Sequence, residues 1–135
     1  MLVGDAETMT QARWYRKLFG GGMRQVGILA AAGLYALELH RARLVDDHAL
    51  ARQFAEGIQP LPGVRLELLP ETNIVIFDLD HLTWDAPVLC QAAAAAGVLM
   101  LPMGPKQVRA VFHLDVSREQ VMRALDVLEG LLERT

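Results

Sequence analysis

Cys90 is the only cysteine in the 135 residues, so no intramolecular disulfide can form and nothing points to an oxidising compartment. No apolar run reaches the roughly 20 residues that a membrane span requires; the longest, from Val26 to Leu37, falls well short. The N-terminus carries Asp5 and Glu7 and lacks the basic-then-apolar pattern of a secretory signal, so the expected setting is the cytoplasm. Basic residues are interspersed with acids at a net charge of −3 and form no dense block that would track a phosphate backbone or an anionic bilayer, so neither nucleic acid nor membrane is an expected partner. The histidines at 40, 48, 81 and 113 show no metal-ligand spacing, and no metal is expected. Walker and Rossmann glycine fingerprints, internal repeats and low-complexity linkers are also missing.

What is present is a high apolar share, 53%, with a positive mean hydropathy. A chain of this length buries about two-thirds of its unfolded surface, and so apolar a composition implies that part of its surface is covered by another chain or domain. Met1 to Gly4 reads as the end of a strand whose beginning is missing. Asp5 caps a helix to about Leu18, a second helix runs from Met23 to about His40, and a third from Arg41 to about Ile58, on the helical spacing of Leu44, His48, Ala51 and Ala55. After the breaker Gln59-Pro60-Leu61-Pro62-Gly63, strands are expected over Val64–Leu68 and Asn73–Asp78, a helix over Trp84–Ala96 closed by Gly97, and strands over Val98–Leu101 and Val108–Phe112. Ser117 with Gln120 forms a capping box for a last helix bearing Val121, Leu125, Leu128 and Leu132 on one face. The fold class is α/β: a helical segment, residues 1–58, followed by a small β-β-α-β-β-α sandwich, residues 59–135, with an antiparallel or mixed sheet.

Two places carry chemistry. In Arg16-Lys17-Leu18-Phe19-Gly20-Gly21-Gly22-Met23-Arg24-Gln25, three glycines leave backbone amides near a helix start, and Lys17 and Arg24 add positive charge, a combination suited to a phosphate. A flexible hinge with solvated basic residues fits the same stretch. In the strand around Arg109, alternation puts Val108, Ala110 and Phe112 on one face and Arg109, Val111 and His113 on the other; an arginine there takes an anion, or else points into water from a sheet edge. Cys90 reads as a small core residue, His48 and His113 as packed or paired, and Asp78 and Asp80 as solvated strand-end acids.

The block Arg13-Trp14 through Arg24-Gln25, continuing Gly27-Ile28-Leu29-Ala30-Ala31-Ala32-Gly33-Leu34-Tyr35-Ala36-Leu37, resembles the segment that L-threonine aldolases carry after their cofactor lysine. The likeness continues through Ala42-Arg43-Leu44, Asp47-His48, Thr72-Asn73, Val108-Arg109 and His113-Leu114-Asp115-Val116-Ser117, and so covers essentially the whole chain; Ala110 and Phe112 depart from the family's pattern. The resemblance implies the C-terminal domain of a fold-type I enzyme using pyridoxal 5'-phosphate to cleave L-threonine or L-allo-threonine to glycine and an aldehyde. It implies that Arg24 and Lys17 bind the cofactor phosphate, Arg24 across a subunit boundary, that Arg109 grips the substrate α-carboxylate, and that the subunits assemble as dimers of dimers.

The serine-lysine-glycine motif that in this family precedes a Leu-Val-Gly segment, here Leu2-Val3-Gly4, is absent. Only Lys17 and Lys106 remain, and neither occupies the position of the covalent anchor, so no catalytic residue is assigned and the chain alone is expected to be inactive. The alternative is a stand-alone, non-catalytic α/β module that self-associates or binds a small anion.

Overall fold

In the computed structural model, which describes residues 2–80 and 84–133, helix α1 spans Ala6–Leu18 and starts at the expected cap. Asp5 accepts from the Thr8 amide at 2.8 Å and the Thr8 hydroxyl at 2.9 Å, satisfying one of the amides that a helix start leaves open. The Thr8 amide first, and then its hydroxyl, hold the Asp5 carboxyl below its ordinary range. The helix ends in a Schellman motif, with the Gly20 amide donating to the Lys17 carbonyl at 3.2 Å and the Gly21 amide to the Arg16 carbonyl at 2.8 Å. Gly20 sits at φ +73°, where a Cβ is costly. Leu2–Gly4 belong to no strand, contrary to the expected strand end; Met1 lies outside the described residues.

Helix α2 spans Gly27–Tyr35 and runs into a π-helical turn, Ala36–His40, in which the Arg41 amide reaches back to the Ala36 carbonyl at 3.1 Å. The expected start at Met23 is too early. Gln25 adopts a left-handed φ of +53°, and no side chain caps Val26, so the helix opens only at Gly27. None of the residues of α1, α2 or the π turn is buried.

Helix α3, Leu44–Ile58, is separated from the π turn by a turn over residues 41–43. It packs on α5, Arg118–Leu132, and on β2, Ile74–Leu79, through Ala51, Phe54, Ala55 and Ile58. The chain accordingly divides into compact units at residues 1–42 and 43–135, whereas the sequence pattern suggests a division after Ile58. Gly57 permits the close approach of α3 and α5: a Cβ there would stand 2.5 Å from a Leu125 methyl. At the start of α3, Arg43 grips the buried Asp47 through its two terminal guanidinium nitrogens, at 2.8 and 3.3 Å.

The sheet has the order β1-β2-β4-β3 with every neighbour antiparallel: β1 is Val64–Arg65, β3 Leu101–Pro102 and β4 Gln107–Val111. Its inner face presents Val75, Phe77, Leu79, Val108 and Ala110 to α3 and α4, Ala86–Ala95, and α5 packs on both of these helices. Phe54 links the layers, its ring 6.5 Å from Phe77 and 5.3 Å from Phe112. Two strands are shorter than expected. Helix α4 ends in a second Schellman motif, with Gly97 at φ +86° and the Val98 amide bound to the Ala93 carbonyl at 2.9 Å. That bond removes Val98 from the ladder, so β3 begins at Leu101. Edge strand β1 leaves the sheet after Arg65, with Leu66 packed against the core. The capping box at Ser117 and Gln120 is present with both bonds, at 2.7 and 3.2 Å.

Candidate functional site

The outer face of the sheet is covered by no layer among the described residues of the second unit. It presents Ile74 and Ile76 of β2, Leu101 of β3 and Val111 of β4, all exposed, because the two-residue repeat that buries Val75, Phe77 and Val108 turns their neighbours outward. Arg109 stands among them. Its register partners are Ile76 on one side and Leu101 on the other, so its stem runs between apolar side chains at cross-strand distance, about 5 Å between Cβ atoms. The Nε atom of Arg109 is buried without a hydrogen-bond partner, and no ion pair reaches this side chain among the described residues. A buried donor left unsatisfied costs about 1–3 kcal/mol, and a planar cation in that state is primed for a carboxylate.

The far end of the same face is saturated with charge. Arg65 donates to Asp80 at 2.6 Å, Asp78 at 2.8 Å and Glu67 at 2.8 Å, and Gln107 donates to the second oxygen of Asp78 at 3.1 Å. The hydrogen bonds that Arg65 donates to Glu67 and then to Asp80 raise its guanidinium further above its ordinary range. Asp78 and Asp80 are therefore the partners of one arginine, which sequence spacing alone does not reveal because Arg65 reaches them only through the β1–β2 register.

Lys17 and Arg24 belong to the first unit, and both are exposed. The glycine loop folds back on the end of α1: a Cβ at Gly21 would meet the Arg16 stem at 3.3 Å, and one at Gly22 the Lys17 stem at 3.9 Å. The amides of Gly20 and Gly21 are spent on the helix cap, which corrects the expectation that all three glycine amides are open to an anion. Side-chain charge is what this loop offers. Lys106 lies in the second unit, its Nζ donating to the Trp84 carbonyl at 3.0 Å and pairing with Asp85 at 3.1 Å.

A cavity of about 340 Å³, missed by sequence reasoning, opens between the end of β4, residues 97–100 and the start of α5. Its polar groups are already engaged: Gln120 in the capping box, Arg123 on the Ala96 carbonyl at 3.2 Å, and His113 Nδ1 accepting from the Asp115 amide at 3.3 Å. Cys90 is buried in the core, and burial pushes its thiol pKa up, which suppresses the reactive thiolate. His40 packs on Tyr35 with ring centroids 5.2 Å apart; His81 lies outside the described residues.

Residues 1–82 match the family model described as beta-eliminating lyase. The chain is 38% identical over 133 residues to a probable low-specificity L-threonine aldolase 2 of Arabidopsis thaliana, covering 97% of this chain and 38% of that protein. It is 40% identical over 121 residues to the low specificity L-threonine aldolase of Escherichia coli K12, covering 90% of this chain and 34% of the relative. Among solved structures, a C-DES mutant with glycine covalently linked to its PLP cofactor aligns with a TM-score of 0.60 at 19% identity, over 71% of this chain and 27% of that one. The aminotransferase TlmJ of Streptoalloteichus hindustanus aligns with a TM-score of 0.56 at 13% identity, over 69% and 34%. The fold is thus the α/β arrangement found in fold-type I PLP enzymes, and the chain spans little more than a third of the length of the curated relatives it matches. On the family match and the extent of this likeness, the chain belongs to the beta-eliminating lyases and, within them, is similar to threonine aldolases over nearly all its length.

Proposed function

We propose that the chain is the C-terminal part of a PLP-dependent lyase that cleaves β-hydroxy-α-amino acids such as L-threonine or L-allo-threonine to glycine and an aldehyde, and that its contribution is binding. The observation that carries this reading is Arg109: a partly buried guanidinium on an open sheet face, flanked by apolar side chains, with an unsatisfied Nε. Its fork takes the substrate α-carboxylate in a bidentate pair and fixes the orientation of Cα. The names of the relatives support the substrate class.

The residues present fit the anionic ends of such a complex. Arg24 and Lys17 are exposed cations beside the glycine loop and suit the cofactor phosphate, Arg24 by reaching into a neighbouring subunit of a dimer of dimers. Neither lysine suits the covalent anchor: Lys106 is held by Asp85 and the Trp84 carbonyl, and Lys17 ends α1 with its stem on the glycine loop. When bound, the cofactor supplies the electron sink for Cα–Cβ cleavage. The setting proposed is the cytoplasm; no described helix is long and apolar enough to cross a membrane.

The experiment is direct. Purified chain with PLP and L-threonine yields no glycine above a protein-free control, and glycine appears when the N-terminal portion of a threonine aldolase is supplied. Turnover by the chain alone that is lost on substituting Lys17 or Lys106 overturns the assignment. The second reading, a stand-alone anion-binding module, is favoured by the self-contained core of residues 43–135; it predicts a monodisperse protein with no gain from the added portion.

A further inference from the structure

Arg109 faces outward on a sheet surface that also carries a carboxylate. Asp78 opposes Gln107, two residues along β4 from Arg109 and on the same face. Diagonal neighbours on an antiparallel pair stand about 7–8 Å apart, within reach of a long side chain. Left to itself, Asp78, a diagonal neighbour on the Arg109 face, would compete for the guanidinium as an internal carboxylate. In the structure it does not: one of its oxygens is taken by Arg65 Nη2 at 2.8 Å, the other by Gln107 Nε2 at 3.1 Å. Arg65 is itself held by Asp80 and Glu67, on the β1 side of β2 and away from Arg109.

We infer that Arg65 and Gln107 are positioning residues that sequester Asp78 and so keep Arg109 open to an external carboxylate. The inference rests on the carboxylate-gripping role proposed for Arg109 and adds residues to which nothing else points. The physics is competition between two acceptors for one cation. An Asp78–Arg109 pair on a partly exposed surface contributes up to about 1 kcal/mol, and an external carboxylate then has to displace it. Holding Asp78 by two other donors removes that competitor while retaining the strand-end charge network.

The test uses the full chain with 15N-labelled arginine, following the Arg109 Nε–H resonance during titration with sodium acetate. In the native chain the resonance moves with acetate. In Arg65→Met the resonance is already displaced before acetate is added, and about fivefold more acetate is needed for half-saturation. The double variant Arg65→Met/Asp78→Asn returns to the native midpoint, because the competitor has lost its charge, and Asp78→Asn alone binds acetate at least as well as native. A merely structural role for Arg65 gives no such rescue. If Arg65→Met does not fold, Gln107→Leu, which frees the other oxygen, is read the same way with its own Asp78→Asn partner. An unchanged midpoint in Arg65→Met and in Gln107→Leu, or a double variant as weak as the single, overturns the inference while leaving the role of Arg109 intact. A native chain in which Arg109 does not respond to acetate defeats that role, and the inference with it.

Discussion

Arg109 takes its surroundings from residues far from it in the sequence. Its outward direction follows from strand alternation and was legible in the sequence. Its unsatisfied Nε was not, because that depends on Ile76 and Leu101 lying across from it, and register between distant strands is invisible in a single sequence. The same limit hid the capture of Asp78 and Asp80 by Arg65. A different residue-scale expectation concerns Asp47, a buried acid whose partner Arg43 is one-quarter exposed. Arg43→Met strands the carboxylate without a cation and lowers stability by about 3 kcal/mol, whereas Asp47→Asn costs less, since Arg43 still reaches water. Urea denaturation of both variants measures the order; equal losses contradict this account of the pair.

At the scale of elements, local chemistry was well written in the sequence where both halves of a motif lie close together. The Asp5 cap, the Ser117–Gln120 box and the Gly97 stop are of this kind. Strand lengths were not, because β3 loses its start to the cap of α4 and β1 has only one neighbour to hold it. The α3–α5 contact was equally hidden. Gly57→Ala forces a methyl into Leu125, and an overpacked contact of this sort costs about 1–3 kcal/mol. Thermal unfolding checks it, and Leu125→Ala in the same chain recovers part of the loss. For α1 the pH dependence has a definite sign. The Asp5 carboxyl is held below its ordinary 3.8 by Thr8, so its support of the helix is full above about pH 3.8 and fades as pH falls through the lower folded value. Asp5→Asn removes that acid fading, which circular dichroism between pH 5 and pH 2, a span of about three units around the carboxylate range, resolves.

At the scale of the whole molecule, burial is unevenly distributed between the two units. Exposed apolar side chains are frequent in α1, α2 and the π turn, where no residue is buried while Trp14 and Ile28 are 61% and 85% exposed. Residues 43–135 carry the core. Amide hydrogen exchange is therefore expected to be fast throughout residues 6–40 and slow in α3, β2 and α5; uniform protection across both units contradicts this division. The likeness to threonine aldolases was legible because the glycine-arginine block is long and contiguous, while the partition of charge between a saturated and an open end of one sheet face emerges only from the fold.

The central claim is that Arg109 grips the substrate carboxylate, and the most direct measurement is steady-state kinetics with L-threonine on the chain completed by the N-terminal portion of a threonine aldolase, comparing Arg109 with Arg109→Lys. Loss of one bidentate hydrogen bond raises KM about tenfold with kcat nearly unchanged, the pattern of an interaction made equally in ground and transition states. An Arg109→Lys enzyme with the KM of its parent contradicts the account.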